Sequence, residues 1–269
     1  MLCVVEFEGS EAGDEVVLPG GNTHARIVRI GETVRRPTSE WSPSVHQLLL
    51  HLEAVGFDGA PRFLGVDGEG REVLTFVPGA VVHPDHSVLI ETDDALRRVG
   101  AWLRRYHDAA TAFDFVGGHR WCDWGADPSG SDEVLCHNDL APWNLVAGPR
   151  GWVVIDWDLA APGRRSWDLA YALQTLVPLW PDRGRSAETV ARRVGVLCTG
   201  YGMPWLAPAC LDVAVERCTT MYELIRRRGA IGEPHFAQLL ADGHDVIWDA
   251  GARHAAAKVA EWKGLLAGH

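Results

Sequence analysis

The 269-residue chain has no C-x-x-C pair, no apolar run long enough to cross a bilayer, no internal repeat and no low-complexity linker. Its six cysteines, Cys3, Cys122, Cys136, Cys198, Cys210 and Cys218, are scattered. That spacing argues against a zinc site and a disulfide framework and leaves reduced, mostly buried thiols as the expectation. Basic charge is in deficit, with 25 Lys and Arg against 36 Asp and Glu and a net charge of -11. A nucleic-acid partner is thereby disfavoured, because a phosphate backbone demands a concentrated basic face. The acidic balance is compatible with a cationic partner and equally with ordinary solubility. With neither a charged-then-apolar leader nor a membrane span in view, a cytoplasmic protein is expected. A hydrophobic fraction of 47% and a charged fraction of 23% are those of a soluble globular chain. The length suits one two-lobed unit or two small domains.

What is present is concentrated between residues 136 and 156. Cys136-His137-Asn138-Asp139-Leu140-Ala141-Pro142-Trp143-Asn144 follows the pattern H-x-D-x-x-x-x-N. In that pattern the Asp accepts the proton of an acceptor hydroxyl and the Asn holds a metal ion during phosphoryl transfer. A chance match in a chain of this length is on the order of 1 in 100. From there, Asn144-Leu145-Val146-Ala147 and Trp152-Val153-Val154-Ile155 flank Gly148-Pro149-Arg150-Gly151. This reads as a hairpin that returns Asp156 to the side of Asn144. The bland reading of His137 is a buried, hydrogen-bonded side chain that holds the loop.

Residues 16–78 read mostly as strands and turns with one helix. Val16-Val17-Leu18 and Ala25 to Ile30 suggest two strands around Pro19-Gly20-Gly21-Asn22-Thr23, which is either a phosphate-covering loop or a plain hairpin turn. Glu32 to Arg36 is a strand ending at Pro37. Val45, Leu48, Leu49 and Leu52 have helical spacing in a helix expected over 44–55. A strand pair at 61–66 and 72–77 precedes Pro78-Gly79, the natural joint. From Thr92, a candidate N-cap followed by Asp93 and Asp94, the chain reads as mainly helical. One long helix is expected between Pro208 and Gly229, the glycine lying just past its end. Asp242, Asp245 and Asp249 share a helix face that could bind ammonium groups or simply be solvated.

Leu135 to Asn144, Ile155-Asp156-Trp157-Asp158 and Trp167-Asp168-Leu169-Ala170 together resemble the "H-G-D-L-x-x-x-N", "I-D-W-[DE]" and "x-D-L-A" segments of the aminoglycoside phosphotransferase family. That family includes choline, homoserine and other small-molecule kinases. Asn138 stands where Gly is common. The resemblance implies an α+β, two-lobed, protein-kinase-like fold: a nucleotide-binding lobe over 1–78 with a small antiparallel sheet and one helix, and a larger helical lobe over 79–269 that carries the catalytic hairpin. It implies transfer from ATP or GTP to a hydroxyl of a small, cationic, antibiotic-like molecule. A metabolic kinase, or a nucleotide-binding immunity protein with little turnover, is the alternative.

By the same resemblance Asp139 is the base, and His137 and Asp168 brace the loop. Asn144 and Asp156 hold Mg2+, and Leu74, Phe76 and Val77 meet the base at the hinge. Gly20 and Gly21 lie over the phosphates, Asp158 serves the acceptor, supports the metal site or is only a polar residue of the next turn, and the helical spacing of Asp242, Asp245 and Asp249 makes them the candidate acceptor face. Two features depart from the family. The third strand has no Lys, so Arg35 is placed in its role with Arg36 as the alternative. The helix Glu that would pair with it is absent, with Glu40 and Glu53 nearby and His46 as a substitute.

Overall fold

The computed structural model describes residues 14–18, 27–115, 117–181 and 184–267. The Gly20 and Gly21 positions lie outside them. Short runs of Val, Ile and Leu alternating with charged residues form the first sheet: β1 (Val16–Val17), β2 (Val28–Ile30), β3 (Thr33–Pro37), β4 (Phe63–Val66) and β5 (Arg71–Thr75). Its strands are antiparallel in the order β1-β2-β3-β5-β4. In the β3–β5 pair, Val34 is opposite Leu74 and Arg36 is opposite Glu72. Side chains alternate along a strand, so Val34, Arg36, Glu72 and Leu74 share one face, and Arg35 and Val73 share the other.

Helix α1 (Ser42–Ala54) has Pro43 in its first turn, where a missing N–H costs nothing. It buries Val45, Leu48, Leu49 and Leu52 against the sheet and stops before Gly56, whose φ of 76° suits a residue without Cβ. The expected apolar stripe is thus the one that packs.

Phe76 to Pro78 lead from the sheet into the helical part. Thr92 caps α2 (Asp93–Ala110), its hydroxyl accepting from Ala95 N at 3.2 Å. Leu96, Val99, Leu103 and Tyr106 form the buried stripe of this helix. Strand β6 (Ala80–Val81) pairs with β8 (Leu145–Gly148), which forms the expected hairpin with β9 (Gly151–Val154). Strand β7 (Val134–Cys136) pairs with β10 (Ala161–Gly163), so the stretch from His137 to Asn144 leaves one small sheet and enters the other. Helices α3 (Arg165–Leu176), α4 (Ala187–Gly200), α5 (Ala207–Ala230), α6 (Pro234–Ala241) and α7 (His244–Leu266) complete the chain.

One helix end differs from the sequence reading. Gly229 is not past the end of α5 but inside it, because a Cβ there would press on Phe236 and Leu240 of α6. The glycine is needed for close helix approach and not as a cap. The larger of two apolar cores among the described residues runs from Leu49 and Phe63 through Trp102 and Trp157 to Leu173 and Leu211, joining the sheet to the helices, and a smaller one gathers Leu224, Ile225 and Phe236. No helix among the described residues is long and apolar enough to cross a membrane.

Candidate active site

The loop that carries Asp139 begins where β7 ends, and Asp168 in the first turn of α3 shapes it. Its two oxygens accept from the backbone N–H groups of His137 at 2.8 Å and Asn138 at 2.9 Å, while His107 Nε2 lies 3.0 Å away. Asn138 sits at φ 67°, a left-handed conformation that Asn tolerates better than most residues and Gly best of all. That explains why a short polar side chain can stand where the resembling family has glycine. Asn138 Nδ2 donates to Leu159 O at 2.9 Å, and Arg217, buried beneath the loop, donates to Asn138 O at 2.6 Å. His137 is fully buried edge-on against Trp157, and its Nδ1 accepts from Asp139 N at 3.2 Å. Burial lowers its pKa to about 4, so a neutral ring braces the loop.

This bracing delivers Asp139 to Asn144. Both amide hydrogens of Asn144 go to Asp139, to its backbone O at 3.0 Å and to Oδ2 at 2.7 Å. Asn144 Oδ1 is left as an acceptor-only atom. The β8–β9 hairpin does return the chain: Ile155 N donates to Asn144 O at 2.9 Å, and Asp156 follows at φ 61°. Loss of hydration, then repulsion from Asp156, pushes the Asp139 carboxyl up to about 7, against hydrogen bonds from Tyr171 and Asn144. Loss of hydration also raises Asp158 by more than the neighbouring Arg36 lowers it.

Three carboxylates crowd one place, and such a site suits a cation. Among the described residues no group of three or more His, Cys, Asp or Glu is arranged to hold a metal alone. Two hard oxygen donors from Asn144 and Asp156 nonetheless fit magnesium, which keeps most of its positions for phosphate and water.

The residue that meets these carboxylates from the first sheet is Arg36. Its Nη1 lies 3.0 Å from Asp156 Oδ1, Nη2 pairs with Asp158 and Nε pairs with Glu72. Arg35 points to the opposite face, toward Thr33 and toward Asp67 at 3.6 Å. The strand pairing therefore brings Arg36, and not Arg35, to the site. The expected helix partner is replaced as well. Glu72 comes from the adjacent strand, and His46 of α1 reaches its other oxygen at 2.7 Å while stacking on Phe63 at 3.8 Å. Burial opposes ionisation of Glu72, yet Arg36 and His46 together hold it below the ordinary carboxylate range. Glu40 and Glu53 are turned to Arg120 and Arg62 instead.

Leu74 lies on the Arg36 face of the sheet, and Phe76 follows it there, with the Arg29 guanidinium 3.6 Å from its ring centroid. Val77 continues into the turn before Pro78. The three C-terminal acids are not brought to the loop: Asp242 accepts from Gln238, Asp245 from Arg226, and Asp249 pairs with Arg253. What sequence reading missed is a cavity of about 570 Å³ lined by Trp41, Trp121 and Trp124. Gly125, the residue after Trp124, lies beside the loop, where an added Cβ would come within 3.8 Å of Asn138 and 3.9 Å of Leu159. Its charges are already paired, Glu40 with Arg120 at 2.7 Å and Asp123 with Arg228 at 2.8 Å. The density of tryptophan at 121–124 was the available signal.

Sheet, hinge and braced loop define a kinase-like protein, and comparison with known proteins agrees. A model of the phosphotransferase enzyme family (APH) matches residues 118–208, which hold the loop, the hairpin and α3. The chain is 37% identical over 202 residues, 71% of its length and 75% of the relative's, to the trifolitoxin immunity protein of Rhizobium leguminosarum bv. trifolii. The chain belongs to the phosphotransferase enzyme family. Its fold is similar to an amicoumacin kinase solved with AMP-PNP, Ca2+ and Ami (TM-score 0.63, 13% identity, 91% of this chain and 90% of that one). It is also similar to a choline/ethanolamine kinase family protein from Mesorhizobium loti (0.56, 18%, 94% and 88%) and to a putative aminoglycoside phosphotransferase from Ralstonia eutropha (0.57, 16%, 93% and 94%).

Proposed function

We propose that this protein transfers the terminal phosphoryl group of ATP or GTP to a hydroxyl of a small toxic molecule and so protects the cell that makes it. The observation that carries this reading is the placement of Asp139 against Asn144 with Asp156 alongside. Asp139 orients the acceptor hydroxyl and takes its proton, a task suited to a carboxyl raised toward neutrality. Asn144 and Asp156 are the ligands for magnesium, which supplies charge neutralisation at the phosphates. Arg36 contacts the phosphates, and Val34, Leu74, Phe76 and Val77 cover the base. The tryptophan-lined cavity seats the ring system of the acceptor. The charges of the cavity are paired internally, and Asp245 and Asp249 of the C-terminal acids also have arginine partners, so a cationic acceptor would have to displace them.

The test is magnesium-dependent transfer from ATP and GTP across aminoglycosides, macrolides, peptide antibiotics and amino alcohols, read by mass spectrometry as the gain of one phosphoryl group. Product that disappears in Asp139→Ala supports the reading, whereas no nucleotide binding at all overturns it. The 37% identical immunity protein favours a second reading, nucleotide-dependent immunity with little turnover. Nucleotide binding without product over the whole panel would select it.

A further inference from the structure

We infer that Arg36 is a pivot: its Nε stays on Glu72, while Nη1 and Nη2 alternate between the carboxylates of Asp156 and Asp158 and the phosphates of the nucleotide. The inference rests on the phosphotransferase reading and concerns how its cation is held. Each edge of the guanidinium meets a different acid, and the acids differ in kind. Glu72 is 1% exposed and is clasped from its other side by His46, whose ring is stacked on Phe63. Asp156 and Asp158 are 44% and 36% exposed. One end of the guanidinium is therefore anchored inside a sheet, and the other faces groups that water and ions can reach.

Arg36 Nη1 uses Asp156 Oδ1, an atom of the side chain proposed to hold the metal. A guanidinium and a divalent cation on one carboxylate repel each other, so they compete for Asp156. When Arg36 gives up Asp156 and Asp158, its planar fork still has two donor edges aimed into the site, a match for two phosphate oxygens. A lysine could not do this, because a single ammonium cannot stay on Glu72 through one fixed edge and exchange partners at another. The altered strand cation and the missing helix acid are thus one device. Glu72 supplies from β5 what the helix does not, and His46 is the contact by which α1 supports it.

The test uses the full chain and two ligands, Mn2+ alone, followed by loss of the free-ion EPR signal, and MgATP, followed by calorimetry. Arg36→Gln is expected to bind Mn2+ alone about tenfold more tightly and MgATP about tenfold more weakly. Arg36→Lys should show the same signs at smaller size, and it keeps the inference testable if the Gln variant does not fold. Glu72→Gln should weaken MgATP by loosening the anchor. A purely structural role would shift both ligands in one direction through loss of folded protein. Weakening of both ligands in the Arg36 variants, or unchanged Mn2+ binding, overturns the pivot and leaves the phosphotransferase reading standing. A wild-type chain that binds neither ligand overturns both.

Discussion

Asp168 and Asp139 serve the same short loop from opposite sides, and their environments drive them in opposite directions. Asp168 is wholly buried and burial opposes its charge, but two backbone N–H groups and His107 hold its carboxyl below the ordinary range. Asp139 is driven up first by burial and then by Asp156, which its donors Tyr171 and Asn144 do not offset, and it rises to about 7. A carboxylate saturated by fixed donors becomes scaffold. One left short of donors beside a like charge becomes reactive, and its instability is relieved by a cation or a proton.

The contrast can be broken by substitution. Asp139→Ala should reduce transfer on the order of 10²–10⁴-fold in single-turnover assays, with nucleotide affinity nearly unchanged. Wild-type turnover would remove Asp139 from the base role. Asp168→Ala should cost about 3–5 kcal/mol in urea denaturation, since buried N–H groups and His107 lose their acceptor. A midpoint within error of wild type would deny it the scaffold role.

The pH dependence sharpens the same contrast. The folded pKa of Asp168 is depressed, so its stabilisation is present above an unfolded value of about 3.9 and is lost as pH falls through the folded value. Asp139 has the reverse sign. Its folded value is about 7, so stability falls as pH rises from about 4 toward 7. Asp139→Asn should therefore match wild type near pH 4 and exceed it at pH 8. Denaturation curves at both pH values check this, and a destabilised variant at pH 8 would refute it.

Smaller effects separate the neighbouring arginines and the outlying acids. Arg36→Ala should raise the nucleotide requirement about tenfold, whereas Arg35→Ala should chiefly lower stability, by about 3 kcal/mol, because its partner Asp67 is buried. Equal nucleotide effects would erase the distinction between the strand's two faces. Asp249→Asn removes an exposed helix pair with Arg253 and should change stability by no more than about 0.5 kcal/mol and acceptor affinity not at all. A marked loss of acceptor binding would restore the C-terminal acidic face as a candidate site.

The legible part of the site was local. Asp139, Asn144 and Asp156 are joined by one loop and one tight hairpin, and the turn residues between β8 and β9 are readable one by one. The α1 stripe and the Thr92 cap are likewise properties of single turns of helix. Arg36 was ambiguous with Arg35 because a strand written out does not say which side faces the cleft; pairing with Glu72 and Leu74 decides that. Glu72 is 36 residues from Arg36 and could be found only as an acid beside Val73 and Leu74 in its strand. The aspartates of the last helices showed periodicity, but periodicity says nothing of their partners Gln238, Arg226 and Arg253, nor of the break at Gly243 that leaves Asp242 at the end of α6 and Asp245 and Asp249 on α7 instead of one helix face.

By itself the sequence determined the family, the fold class and the loop that carries its motif, because those depend on spacings of a few residues along a stiff, short-range backbone. Only the tertiary structure decided which arginine faces Asp156 and Asp158, which acid pairs with it, and that Trp41 meets Trp121 and Trp124 in one cavity. Those outcomes depend on strand register and on packing between distant segments, and a burial energy shared over a whole core has no signature at any single position.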